Sequence, residues 1–275
     1  MREFKLINKR GEEFNLMRKD AYFNSPAGLG FTINQETVQI GNEFITVSSQ
    51  YNQPVLSGEM VFRGYKVYRE FIQFLTEKLR VAYKPLKQWY YADCEVLVVA
   101  KGEIDATSKR LLCGIDIGFH SQWYLPAKFE QTQPGEDGGK VYTYTYPYTY
   151  IGGEPGIIQI ANASTENAPC RLYIMGACVN PRWEVIQGGK VVARGQVNAT
   201  IQEGRKLFIS SLASELQISE LSLDNTFIQD LYQASDFSTG RFIYLPPGEA
   251  SLTVSDESGT QMVAYVEVLQ FAATV

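Results

Sequence analysis

Between Gly58 and Leu86 the apolar period changes twice, from two to about three and a half and back to two. The stretch reads GEMVFRGYKVYREFIQFLTEKLRVAYKPL. Tyr68, Phe71, Ile72, Leu75 and Leu79 recur at spacings of three and four, which places them on one face of a helix. Lys66, Arg69, Glu70, Gln73 and Glu77 fall mostly on the other side, where water solvates them. Met60 and Phe62 before it, and Val81 and Tyr83 after it, alternate as strand residues do. The pattern predicts one amphipathic helix, around residues 64–78, lying across a β-sheet. The residues of this stretch are packing residues and carry no catalytic pattern.

The remainder reads as short strands and turns. Strands are expected around Phe4 and Leu6, Phe14 and Leu16, Phe31–Ile40, Phe44–Val47, Asp93–Ala100 and Leu111–Ile117. Pro26, Gly28 and Gly30 mark 24–30 as a loop, and Lys101–Asp105 as a polar turn. Residues 131–140, QTQPGEDGGK, have the composition of a linker and divide the chain into domains 1–133 and 134–275. Directly after it, VYTYTYPYTYI places Tyr142, Tyr144, Tyr146, Tyr148 and Tyr150 on one side of a strand. Such a row either stacks on sugar faces or buries its rings and wets its hydroxyls. Nine or ten further strands, with turns at Gly188-Gly189, Glu203-Gly204 and Pro246-Pro247-Gly248, argue for an antiparallel β-sandwich. A short helix is expected at Asp224–Gln233, capped by Asp224 or Asn225.

With 45% hydrophobic residues and 32 Tyr and Phe in 275, the chain has real cores and favours strands: a mostly β fold. A net charge of −5 gives no electrostatic case for gripping nucleic acid. No apolar run approaches a membrane span, and MREFKLINKRGEEF lacks the apolar core of a secretory signal, so folding in a cytosol is expected. Cys94, Cys113, Cys170 and Cys178 form no C-x-x-C pair, which argues against zinc; four buried thiols are expected, with Cys94 and Cys113 able to face each other across a hairpin. The single histidine, His120 in GFHSQWYLP, has no nucleophile and orienting acid beside it and is expected to be partly buried and satisfied by backbone. Phosphate-loop, dinucleotide, H-E-x-x-H and EF-hand patterns are absent. The reading is a non-enzyme, with no catalytic, cofactor or metal residue assigned.

The first domain resembles the distal tail protein of phages with long, non-contractile tails, of the type infecting Gram-positive hosts. The resemblance runs through Pro26-Ala27-Gly28-Leu29-Gly30, Gly58, Met60 and Phe62, then Tyr65, Tyr68, Phe71 and Phe74 on the helix. It continues through Leu79, Tyr83 and Pro85, then Tyr91, Asp93, Lys101, Glu103 and Ile104, and ends at Trp123-Tyr124. In the second domain it rests on the Tyr-rich strand, Asn180-Pro181 before Trp183, Gly188-Gly189, Glu203-Gly204 and Leu245-Pro246-Pro247-Gly248. The resemblance implies a ring-forming, tube-type β-sandwich domain with one helix, followed by a galectin-like β-sandwich. It implies a structural hub at the virion tail tip or baseplate, phage- or prophage-encoded and assembled in the host cytoplasm. That hub is a homohexameric ring continuing the DNA channel, with no cofactor. Its implied partners are other copies of itself, the major tail tube protein, the tail-associated tip protein and the tape-measure protein, with receptor-binding proteins attached through domain two. A carbohydrate-binding module contacting host cell-wall polysaccharide, motivated by the tyrosine strand, is the alternative.

Overall fold

The computed structural model describes residues 2–131, 157–257 and 262–275. They divide into two compact units, Met1–Leu125 with Ala272–Val275, and Pro126–Phe271. This division lies earlier than the expected 133/134 and returns the last four residues to the first unit. The tyrosine strand 141–151, and all of the 131–140 segment except Gln131, lie outside the described residues.

The first unit contains β1 (Glu3–Asn8), β2 (Glu13–Asn15), β3 (Ala21–Ala27), β4 (Ile33–Ile40), β5 (Glu43–Tyr51) and β6 (Val55–Arg63). These precede α1 (Tyr65–Phe74), β7 (Leu79–Lys84), β8 (Tyr90–Ile104), β9 (Arg110–Phe119) and the start of β10 (Trp123–Glu130). The long strand β8 organises it. Its first half pairs with β7, from Tyr83 opposite Tyr90 to Leu79 opposite Cys94, and β7 pairs onward to β1 and β2. Its second half pairs with β9, which continues to β6 and β3. Alternating residues from these strands, among them Phe4, Leu6, Phe23, Met60, Val81 and Ile117, are buried in one core.

Helix α1 closes that core. Phe71 packs edge-on to Phe14, with ring centres 5.2 Å apart, and tilted against Phe62 at 5.3 Å; Phe74 lies 5.5 Å from Phe14. No side chain caps the helix, and neither end carries a charge matched to its dipole. Ten residues are too few for stability in water, so this aromatic contact is what holds it. The expected helix and face are corrected: the helix ends at Phe74, Ile72 is exposed, Phe74 is buried in its place, and Leu79 opens β7. Four apolar positions in a row-pair, 71–72 and 74–75, let packing choose the stripe. Two loops also differ. Ala21–Ala27 is strand β3, so pairing with β6 extends past Pro26; β8 runs through the expected polar turn to Ile104, and the turn falls at 105–109.

The second unit contains β11 (Ile157–Asn162), β12 (Ala168–Met175), β13 (Cys178–Val179), β14 (Arg182–Gln187), β15 (Lys190–Gln196) and β16 (Thr200–Ile201). There follow β17 (Arg205–Ser210), β18 (Gln217–Ser222), β19 (Phe227–Asp230), a 3₁₀ turn at Tyr232–Ala234, β20 (Tyr244–Leu245), β21 (Gly248–Ser255) and β22 (Ala264–Ala272). One sheet runs β11-β21-β14-β15; the other includes β19-β18-β17-β12-β22. Ile160, Trp183 and Leu252 from the first share a core with Leu172, Ile209 and Val266 from the second, which makes an antiparallel β-sandwich. The buried Asn162 amide donates to the carbonyls of Leu245 (2.9 Å) and Pro246 (3.1 Å), fixing the turn before β21. The expected helix at 224–233 is instead a turn and strand β19. Asp224 accepts the Thr226 N–H at 3.2 Å and Asn225 adopts φ 70°, so turn chemistry wins over helix capping. Ser219 then pairs with Asp230 across the sheet.

Candidate functional site: an exposed β-ribbon

Strands β4 and β5 form a two-stranded sheet with no third strand among the described residues. The register runs from Ile33 opposite Tyr51 to Ile40 opposite Glu43, with an irregularity at Glu36/Thr37 and a two-residue turn at Gly41-Asn42. Its base is tied down. The Asn52 N–H donates to the Thr32 carbonyl at 2.9 Å, Phe31 packs edge-on to Tyr51 at 5.3 Å, and the Gln53 amide donates to the Phe119 carbonyl at 2.7 Å. Gly28, at φ 88°, lies where a Cβ would meet the Val55 carbonyl oxygen at 1.9 Å. Only glycine lets the chain approach the start of β6 here, and that approach sets where the ribbon leaves the core.

Beyond this base the side chains lie in water. Ile40 is 61% exposed, Phe44 71% and Val47 64%, and Val38 faces Ile45 across the strands with both exposed. Residues 33–51 contain two glutamates and no lysine, arginine or proline, the residues that usually blunt a free strand edge. A lone hairpin is marginal in water, and exposed apolar ribbons mark association surfaces. Elsewhere in the same unit Leu97, Val98 and Leu112 on β8–β9, and Tyr65 and Ile72 on α1, are singly exposed.

The groups considered for chemistry are dispersed. His120, expected to be partly buried, has a side chain 49% exposed, with Nε2 3.6 Å from a Glu95 carboxylate oxygen. Its backbone N–H donates to the Asp93 carbonyl at 2.7 Å, so the backbone at this position is held as expected, and the ring lies at the surface beside Glu95. All four cysteines are free and buried. Cys94 sits opposite Leu79 and Phe119, and Cys113 opposite Met60 and Lys101, so the two do not face each other. Burial pushes the Cys94 and Cys170 thiols up to about 12 and Cys178 to about 11, leaving them un-ionised and non-nucleophilic at neutral pH. Glu215 and Glu267 both approach Arg171, at 2.6 and 3.9 Å, and this shared cation makes them a structural ion cluster rather than an acid–base pair. The ribbon was legible only as two strands and a turn; its isolation from a third strand had no signature in the sequence.

Residues 3–120 match the family of the distal tail protein, N-terminal domain. The whole chain is similar in fold to a chain of the phage P2 baseplate in its activated conformation with calcium, at 15% identity, TM-score 0.69 and complete coverage of both chains. The strontium form gives 16% identity and TM-score 0.68, again with complete coverage. The SPP1 Dit protein, described as a hub of the adsorption apparatus in phages infecting Gram-positive bacteria, gives 9% identity and TM-score 0.65. That match covers 97% of this chain and 98% of that one. No curated protein sequence matches the chain.

Proposed function

We propose that this chain, which carries a distal tail protein N-terminal domain over residues 3–120, is a non-catalytic structural hub of a phage tail tip. The observation that carries this reading is the exposed β4–β5 ribbon within that domain: an apolar element that needs a neighbouring surface. In this reading the ribbon of one copy seats on a different part of its neighbour rather than on the neighbour's ribbon, which makes the contact head-to-tail. A head-to-tail contact that closes by rotation makes a ring. A ring of six continues the DNA channel between the major tail tube protein and the tail-associated tip protein, with the tape-measure protein reaching this region. Six copies at −5 each carry about −30, and the share of that charge that faces the lumen disfavours adhesion of DNA in transit. The second unit, a galectin-like sandwich in this reading, projects receptor-binding proteins.

Antibody labelling of intact tails tests the assignment. Label at the tail tip is the expected result; label along the tube, or none on virions, contradicts it. The carbohydrate-binding alternative rests on tyrosines outside the described residues. A glycan array that shows binding lost in Tyr144→Ala with Tyr148→Ala would establish it instead.

A further inference from the structure

In the second unit, β15 is the outer strand of its sheet and one half of its rim is open. Downstream, the Asp236 and Gly240 N–H groups donate to the Gln196 and Arg194 carbonyls at 2.9 and 3.0 Å, so residues 236–240 run alongside and cover that half. Upstream, Val191–Arg194 and Ser238–Gly240 line a cleft of about 500 Å³, with Trp183 and Phe242. The two-residue Gly188-Gly189 turn makes Gln187 and Lys190 the closing pair of the β14–β15 hairpin. The backbone N–H and C=O of Val191, next after that closing pair, then turn toward the open rim. The irregular register at Val185/Ile186 leaves Val192 without a partner on β14 and brings Arg194 to the same side, where its carbonyl accepts from Gly240. Val191 and Val192 are consecutive, and 51% and 50% exposed. Val192 is the extra residue of the irregular pairing, and both valines lie open to water. Arg194 is the charged side chain that lines the cleft, and the Asp236 carboxylate near it already accepts the N–H and hydroxyl of Ser238.

We propose that this cleft receives a short, extended, acidic segment of a partner protein, added to β15 as a further strand. Its backbone bonds to Val191, its apolar side chains cover the two valines, and a carboxylate meets the Arg194 guanidinium. The irregular pairing between Val185 and Ile186 and the covered downstream half limit the addition to a few residues. This confines the site to one short segment and blocks open-ended sheet growth.

The test uses the full chain and two fluorescein-labelled peptides, Thr-Val-Glu-Val-Glu-Val-Thr and the same sequence with lysine for glutamate, followed by fluorescence anisotropy. The acidic peptide is expected to bind about tenfold more tightly than the basic one. Arg194→Glu is expected to reverse that order. Val191→Pro, which removes a rim N–H but is compatible with an edge strand, is expected to weaken binding about tenfold, while Val191→Thr leaves it unchanged. Absence of binding, equal binding of both peptides, or indifference to Arg194→Glu overturns the proposal. So does occupation of the cleft by N-acetylglucosamine oligomers that displace the peptide. Ile40→Asp, which tests the ring reading, is expected to leave peptide binding intact, so the two can fail separately.

Discussion

Gly28 and the buried thiols carry the two clearest single-residue consequences. A Cβ at position 28 would overlap the Val55 carbonyl, and the residue already sits at positive φ. Gly28→Ala is therefore expected to cost well over 1 kcal/mol and to lower the thermal midpoint of the first unit, read by calorimetry. An unchanged midpoint would show that the ribbon base relaxes freely. Burial raises the thiols of Cys94 and Cys170 from 9.0 to about 12. A folded pKa above the unfolded one means the unfolded chain loses its proton first as pH rises. The stabilisation is complete below pH 9 and is lost between 9 and 12. Each thiol then withdraws up to about 1.4 kcal/mol per pH unit in that window. Denaturant midpoints are expected to fall from pH 9 to 11, less steeply in Cys170→Ala. The burial of these thiols was readable from their place in apolar strands; the separation of Cys94 from Cys113 was not, because the irregular β8–β9 register that sets it lies in pairing geometry.

Among the elements, α1 shows how packing overrides period. The change of period predicted a helix at the right place, yet neighbouring apolar positions left the buried stripe undecided until Phe14 and Phe62 met Phe71 and Phe74. Phe71→Ala is expected to destabilise the first unit by about 3–5 kcal/mol in urea titrations, whereas Ile72→Ala on the exposed side stays within about 0.5 kcal/mol. Comparable losses would restore the stripe expected from period alone. At 224–233 the same kind of local signal misled, since Asp224 and Asn225 serve a turn as readily as a cap. The ribbon teaches a third lesson. Alternation and the Gly41-Asn42 turn announced both strands, but a sequence read one segment at a time contains no signal for a missing third strand. What it did contain, and what now matters, is the lack of lysine, arginine and proline from 33 to 51.

For the whole molecule, each unit has its own core and leaves a different surface open. The first exposes an apolar ribbon; the second exposes the rim of β15. The central claim is that the ribbon joins copies of this chain, and native mass measurement tests it most directly. The account predicts a sixfold multiple of the 31.0 kDa chain for the unaltered protein. It predicts a single-chain mass, with the circular dichroism of a folded chain, for Ile40→Asp with Ile45→Asp, since each exposed isoleucine is worth about 1.5–3 kcal/mol when covered. An unaltered protein that remains a single chain at high concentration, or a double variant that still assembles, would contradict it.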